Sequence, residues 1–77
     1  MDREEIIAEL EACPTNIRYS RLCNICDHFF GKARQTGTSH RVYKMPWKGD
    51  PRVNIQKDGN KAKPYQVKQV IRALKKL

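Results

Sequence analysis

Acidic residues are scarce over most of this chain. Residues 15–77 contain three of them, Asp27, Asp50 and Asp58, against fifteen Lys and Arg residues. These three acids are scattered over a predicted helix and two predicted loops, so they do not form the cluster that a divalent metal ion needs. The sequence therefore argues against a metal-dependent nuclease, and this region also has no paired carboxylates for acid–base catalysis.

Several other signals are missing. No apolar run is long enough to span a bilayer and no signal-peptide pattern is present, so we expect a soluble, cytoplasmic protein with no membrane partner. There is no phosphate-binding glycine loop. Ser39 beside His40 does not make a serine triad, because neighbouring strand residues point to opposite faces of a sheet. We predict no cofactor.

The three cysteines do not make a convincing site. An odd count in a chain of this kind argues against a disulfide framework. The segment "CNICDH" resembles a zinc motif, but the second pair of ligands that a zinc site needs does not follow. Cys26 lies on the apolar stripe of a predicted helix and Cys23 lies one turn before it, so we interpret both as core residues. A metal or redox site is the alternative, and His28 is predicted to be a surface residue.

What the chain has in excess is positive charge. Its 77 residues are enough for one small domain, and they carry a net charge of +8 from 16 basic and 8 acidic residues. The first 14 residues hold five acids and one base, so the rest of the chain is more basic than the total suggests. This balance indicates a polyanion or an acidic protein as partner. Nucleic acid is the default choice, because Lys and Arg contacts to phosphates give affinity for any sequence.

The spacing of apolar residues predicts an α+β fold with the order α-α-β-β-β-α and a three-stranded antiparallel sheet. Asp2, with Glu5 three residues later, predicts the start of the first helix. Ser20 is the predicted N-cap of a second helix at about Arg21 to Phe30, and Pro64 is the predicted first residue of the third. The strands are predicted in "KARQTGT", "SHRVYKMP" and "PRVNIQK", whereas "KDGNKAK" is predicted to be a loop.

His40, in the second predicted strand, is a candidate catalytic residue. RNA carries its own nucleophile, the 2′-hydroxyl, so a metal-free ribonuclease needs a proton-transfer group and cations to hold the charge that develops on the phosphate. His40 and Lys44 share one face of the strand, and Arg41 can reach that face only if the strand is twisted or bulged. The sequence leaves open which sheet face this is, since Val42 favours the buried side and Lys44 the solvent side.

These residues resemble a known family. The second helix, followed by "RQTGTSHRVYKMP", "DPRVNIQ" and "KAKPYQVKQVIRALKKL", is similar to the HicA toxins of bacterial toxin–antitoxin pairs over roughly residues 19–77. Members of that family show a short helix, a Gly-Ser-His motif at the start of the second strand, a third strand and a closing helix whose start carries a Pro. Here Thr38 stands between Gly37 and Ser39, and Arg41 stands where many members have a second histidine.

The resemblance implies a fold like the double-stranded-RNA-binding domain, with helices on one face of the sheet. It implies an endoribonuclease that cleaves mRNA, uses His40 as its essential histidine and is held inactive by a cognate HicB antitoxin. We expect His40 to act as general base or acid, and we expect five basic residues to hold RNA: Arg34, Arg41, Lys44, Lys48 and Lys68. The alternative is a non-catalytic RNA-binding module of the same fold, which would recognise duplex RNA by shape and phosphate contacts.

The acidic N-terminal segment is an addition to the family pattern. We therefore divide the chain into residues 1–18, an acidic helix with its connector, and residues 19–77, a HicA-like core. The first helix is either an ordinary packing helix with a solvated acidic face, which is the usual role of such charge runs, or a segment that docks over the basic RNA surface and tempers activity.

Overall fold

The chain folds into three helices and an antiparallel sheet. The computed structural model describes residues 1–33, the backbone of residues 35–36, and residues 40–48 and 52–77. The elements in chain order are α1 (Arg3–Ala12), α2 (Tyr19–Phe30), β1 (Gln35–Thr36), β2 (His40–Lys44), β3 (Arg52–Asp58), β4 (Lys61–Ala62) and α3 (Pro64–Lys76). The predicted α+β class, the three helices and the antiparallel order of the three predicted strands are confirmed.

The short strand β4 corrects the prediction of a loop over "KDGNKAK". Gly59 has a φ of 66°, which glycine adopts without strain, so the chain reverses in two residues and Lys61 pairs with Asp58. The strands lie in the order β1-β2-β3-β4, each antiparallel to its neighbour. The outer edge of β4 is covered by the connector after α1, since the Ala62 amide donates to the Ile17 carbonyl at 2.9 Å. This contact blocks an edge that could otherwise pair with another chain.

The core lies between the helices and one face of the sheet. Tyr43 of β2, Val53 and Ile55 of β3 and Ala62 of β4 belong to a single buried cluster with apolar residues from all three helices. The helical members of this cluster are Ile6, Ile7 and Leu10 in α1, Leu22, Cys23, Ile25 and Cys26 in α2, and Val67, Val70, Ile71, Ala73 and Leu74 in α3. A domain this small depends on nearly all of this burial for its stability.

The N-termini of α1 and α2 differ in the groups that accept hydrogen bonds from their backbone N–H groups. The Asp2 carboxylate accepts hydrogen bonds from the backbone N–H groups of Glu4 and Glu5, which confirms it as the N-cap of α1. The prediction that Ser20 caps α2 is wrong, because the helix begins at Tyr19, two residues before the predicted start, and Arg18 is at the N-cap position. The Tyr19 amide donates to the Asn60 carbonyl at 2.9 Å, so a backbone group from the β3–β4 turn satisfies a donor at this helix start.

The acidic helix α1 packs against α3 and shares the core of residues 19–77. Arg3 donates from Nη1 to the Leu74 carbonyl at 2.8 Å, and Lys75 pairs with Glu11 at 3.0 Å. No helix among the described residues combines the length and apolar character needed to cross a membrane.

The place of α1 in the core can be tested with two leucine truncations. Leu10 is completely buried in α1, whereas Leu77 is 43% exposed at the C-terminus. We expect Leu10→Ala to lower the free energy of unfolding by about 2–5 kcal/mol, because it leaves a cavity in the core. Leu77→Ala, the matched control, should change it by less than about 0.5 kcal/mol. Urea denaturation measures both, and equal small losses would show that α1 does not contribute to the core.

Candidate nucleic-acid interface

The two faces of the sheet differ in what they contact. In β2, Arg41 and Tyr43 point toward α2, where both reach Asp27. Side chains alternate along a strand, so the intervening residues of β2 and the matching residues of β3 project from the opposite side. We call this side the open face; its members in β2 and β3 are His40, Val42, Lys44, Arg52, Asn54 and Gln56.

The structure places His40 on the open face, which the sequence left undecided. The apolar Val42 does not place this face in the core. Tyr43 fills the core at 0% exposure, while Val42 is buried on the other side of the sheet and does not belong to the core cluster. His40 is half-buried and Lys44 is exposed. Four residues of extended chain place their Cα atoms about 13 Å apart. Lys44 therefore suits a neighbouring phosphate better than the phosphate that His40 would contact.

Arg41 does not join His40. Its Nη1 donates to both carboxylate oxygens of Asp27, at 3.2 and 3.3 Å, and lies 3.5 Å from the Tyr43 hydroxyl. The hydrogen bond with Tyr43 is the largest of the effects that raise the pKa of Arg41, so the guanidinium stays charged. No bulge brings Arg41 to the other face, since residues 40–44 pair with residues 52–56 in an unbroken register.

The remaining predicted RNA-binding residues are dispersed. Lys48 is exposed in the bend after β2. Lys68 is exposed on α3 and lines a groove of about 410 Å³ with Glu11, Pro14 and Arg72, which belongs to the helix layer. Arg34 lies outside the described residues, as do the motif residues Gly37, Thr38 and Ser39. The four described members of the predicted set therefore do not form one surface around His40.

Two residues that the sequence reasoning missed follow His40 across the open face, Gln56 on β3 and Lys63 just after β4. Gln56 is the direct partner of His40 across the β2–β3 ladder. Its side-chain Oε1 accepts a hydrogen bond from Lys63 Nζ at 3.2 Å. Lys63 follows β4 in the segment predicted as a loop, and only the register of β2, β3 and β4 brings it to this position. An alternating Lys61-Ala62-Lys63 pattern was the one signal that could have suggested it.

Cys23 and Cys26 belong to the core and not to a site, whereas Cys13 is exposed. Cys26 is completely buried and Cys23 nearly so, which confirms their interpretation as core residues. Burial raises the pKa of both thiols, so they stay protonated at neutral pH. His28 is exposed, as predicted. Within the described part of the chain, no three His, Cys, Asp or Glu side chains come together as a metal site.

Comparison with known proteins does not identify the chain. No protein-family model, curated protein or solved structure matches it. The resemblance to HicA toxins rests on the residues around His40 and on the order of elements, and it stays a prediction. The open face and the groups around His40 are therefore the main guide to function.

The buried thiol of Cys26 predicts a stability change at alkaline pH. Its folded-state pKa is raised above the ordinary 9.0, chiefly by burial, so the unfolded chain loses this proton first. The corresponding stabilisation is complete below pH 9 and is lost as the pH rises toward the folded-state value. We expect the free energy of unfolding to fall less steeply between pH 8 and pH 10 in Cys26→Ala than in Cys13→Ala, which removes an exposed thiol. Urea denaturation across this range measures both slopes, and equal slopes would contradict the assignment.

Proposed function

We propose that this protein is a metal-free endoribonuclease that cleaves mRNA, with its reaction centre at His40 on the open face. The observation that carries the proposal is the position of His40. It is the one histidine on the described sheet, it projects from the open face, and its strand partner Gln56 accepts a hydrogen bond from the ammonium group of Lys63. A histidine and a cation are the two elements that RNA cleavage through the 2′-hydroxyl requires of the protein.

The reaction begins when the 2′-oxygen attacks the adjacent phosphorus. A new bond forms between phosphorus and the 2′-oxygen, and the bond from phosphorus to the 5′-oxygen breaks. Neutral His40 accepts the proton of the 2′-hydroxyl, and water or the resulting imidazolium delivers a proton to the departing 5′-oxygen. The products are a 2′,3′-cyclic phosphate and a free 5′-hydroxyl. The cationic Lys63 offsets the negative charge that builds on the phosphate oxygens.

The charge distribution supports an RNA substrate. Lys44, Arg52 and Lys61 lie on the open-face side of β2, β3 and β4, and Asp58 is the one acidic residue among the described positions on that side. The positive potential of such a surface attracts a polyanion at long range, and Lys and Arg side chains then bind the phosphates of that polyanion. The same charges fit an acidic protein, so we propose that a HicB-type antitoxin inhibits the enzyme by covering this face.

A non-catalytic RNA-binding module is the second candidate. One observation favours it: the other histidine of the chain, His28, lies in α2, so the described open face has no second histidine to share the proton transfers. Lone-histidine catalysis is slower than catalysis by an acid–base pair, since one group must serve both steps or depend on water. In this case His40 is one more contact to the RNA, and strands are bound without being cut.

The two histidines provide the decisive comparison. We expect purified protein to cleave an mRNA in the presence of EDTA and to leave 2′,3′-cyclic phosphate ends. His40→Ala should reduce the rate by about 10²-fold or more, the contribution of a positioned acid–base group. His28→Ala, which removes the exposed histidine of α2, should cleave like the unmodified protein. Equal cleavage by His40→Ala and the unmodified protein would remove His40 from the mechanism, and binding without scission would favour the second candidate.

A further inference from the structure

Among the Phe, Tyr and Trp residues, all of which lie in the described part of the chain, Tyr65 is the exposed one. It is 56% exposed, whereas the other tyrosines, both phenylalanines and the tryptophan are buried or half-buried in the structure. Exposure of a large aromatic ring to water costs free energy that burial would recover. Tyr65 is the second residue of α3, and that helix already has a full apolar stripe packed in the core. The packing of α3 therefore does not account for Tyr65.

A buried amide fixes the position of Tyr65 relative to the sheet. Gln66 is 3% exposed and is the one buried polar residue of the described chain. Its Oε1 accepts a hydrogen bond from the Gln56 backbone N–H at 2.6 Å, and its Nε2 donates to the Tyr65 hydroxyl at 3.3 Å. Gln66 thus replaces the strand partner that β3 loses where β4 ends, and it joins the start of α3 to the strand position opposite His40.

The same hydrogen bond places the side chains of His40 and Gln56 close together. Because the Gln56 N–H points away from β2 toward Gln66, Gln56 does not donate it to His40 across the ladder. The two residues therefore form a non-hydrogen-bonded pair, in which Cα atoms lie about 4.5 Å apart and side chains are nearest. Gln56 in turn holds Lys63 Nζ at 3.2 Å. His40, Gln56 and Lys63 thus follow one another across the open face, and hydrogen bonds through Gln66 connect Gln56 to the hydroxyl of the exposed Tyr65.

We propose that Lys63 and Tyr65 form a subsite for one nucleotide of single-stranded RNA, next to His40. Lys63 binds the phosphate and Tyr65 stacks on the base that follows or precedes it. This assignment rests on the proposed RNA substrate but not on cleavage. It gives the exposed ring a partner, since stacking of a base on an aromatic side chain works with all four bases.

The subsite selects single strands over duplexes. A base can lie flat on Tyr65 only if it has left its own stack, and bases in an RNA duplex are stacked and paired. Gln66 limits the freedom of the ring through its hydroxyl, so less rotational freedom is lost when a base binds. Duplex RNA can still contact the basic residues of the open face through its phosphates, but it does not engage Tyr65.

Binding of an uncleavable RNA tests the subsite apart from catalysis. The probe is a fluorescein-labelled, fully 2′-O-methylated single strand, and the readout is anisotropy. We expect Tyr65→Ala to weaken binding by about 5- to 100-fold, the effect of losing one stacked base, and Tyr65→Phe to retain most of the affinity. Leu77→Ala, which removes the other exposed apolar side chain of this helix region, is the control and should bind as the unmodified protein does. Binding of a 2′-O-methylated duplex should be the same in all four proteins.

The role of Lys63 is read from the salt dependence of binding. Lys63→Ala should lower the slope of log Kd against log salt by about 0.7, the value for one phosphate contact to a single strand. Lys57→Ala is the matched control, because Lys57 is exposed on the same strand as Gln56 but alternates to the other side of the sheet. An unchanged single-strand affinity in Tyr65→Ala, or equal slopes in the two lysine variants, would overturn the subsite.

The failure of the subsite and the failure of the nuclease proposal give different results. If the unmodified protein binds RNA and Tyr65→Ala binds it weakly, the subsite stands even where no cleavage occurs. If the unmodified protein cleaves RNA with a His40-dependent rate and Tyr65→Ala binds and cleaves equally well, the nuclease stands and the subsite is wrong. Circular dichroism of each variant confirms that the fold is intact before either comparison is made.

Discussion

The hydrogen bond from Tyr43 to Asp27 is the interaction on which the arrangement of the site depends. The Tyr43 ring is completely buried and packs near Phe30, with ring centroids 6.2 Å apart. Its hydroxyl reaches the edge of the core and donates to the Asp27 carboxylate at 2.6 Å, so the one polar atom of the ring is satisfied. A slip of β2 by one residue would bury Val42 in its place and leave Asp27 and Arg41 without their partner. Fixing Tyr43 therefore fixes His40 on the opposite face.

The charges of the molecule are divided between its two layers. The acidic residues of α1 and α2 lie in the helix layer, where Glu9 pairs with Arg21, Glu11 with Lys75 and Asp27 with Arg41. Each of these exposed pairs adds little stability, but together they neutralise much of the positive charge of the helices. The sheet side keeps its lysines and His40 with Asp58 as its one described acid. The acidic N-terminal helix thus balances the helix layer and does not cover the open face, which leaves that face as the surface for a polyanion.

The helices could be predicted from the sequence, because apolar stripes and caps are local signals. The stripe in α2 and the Pro64 start of α3 depend on residues a few positions apart, and the structure reproduces both. The start of α2 could not be predicted in the same way, since its backbone donor is satisfied by Asn60, which is about 40 residues away in the sequence. The two-residue turn at Gly59 was hidden by the polar, lysine-rich composition around it, which is typical of loops.

The site was harder to predict than the helices, because its residues are positioned by contacts that are distant in the sequence. Val42 and Tyr43 are adjacent and both apolar, so alternation alone does not say which one faces the core. The partner that decides it, Asp27, lies in another helix. Arg41 was expected near the phosphate only if the strand were twisted or bulged, since neighbours in a strand project to opposite faces; β2 instead keeps an unbroken register and Arg41 pairs with Asp27. Lys63 and Tyr65 are connected to the strand partner of His40 by the sheet register and the buried amide of Gln66, and of these contacts only the alternation in Lys61-Ala62-Lys63 leaves a signal in the sequence.

The most direct test of this account compares the two histidine rings by NMR. His40 lies on the open face and His28 is exposed in the helix layer, so each ring reports on one side of the molecule. An uncleavable 2′-O-methylated single-stranded RNA is added stepwise while the ring proton and carbon resonances are recorded. The account predicts that the His40 resonances shift progressively to saturation and that those of His28 stay in place. Shifts confined to His28, or no shift of His40 at saturating RNA, would contradict it.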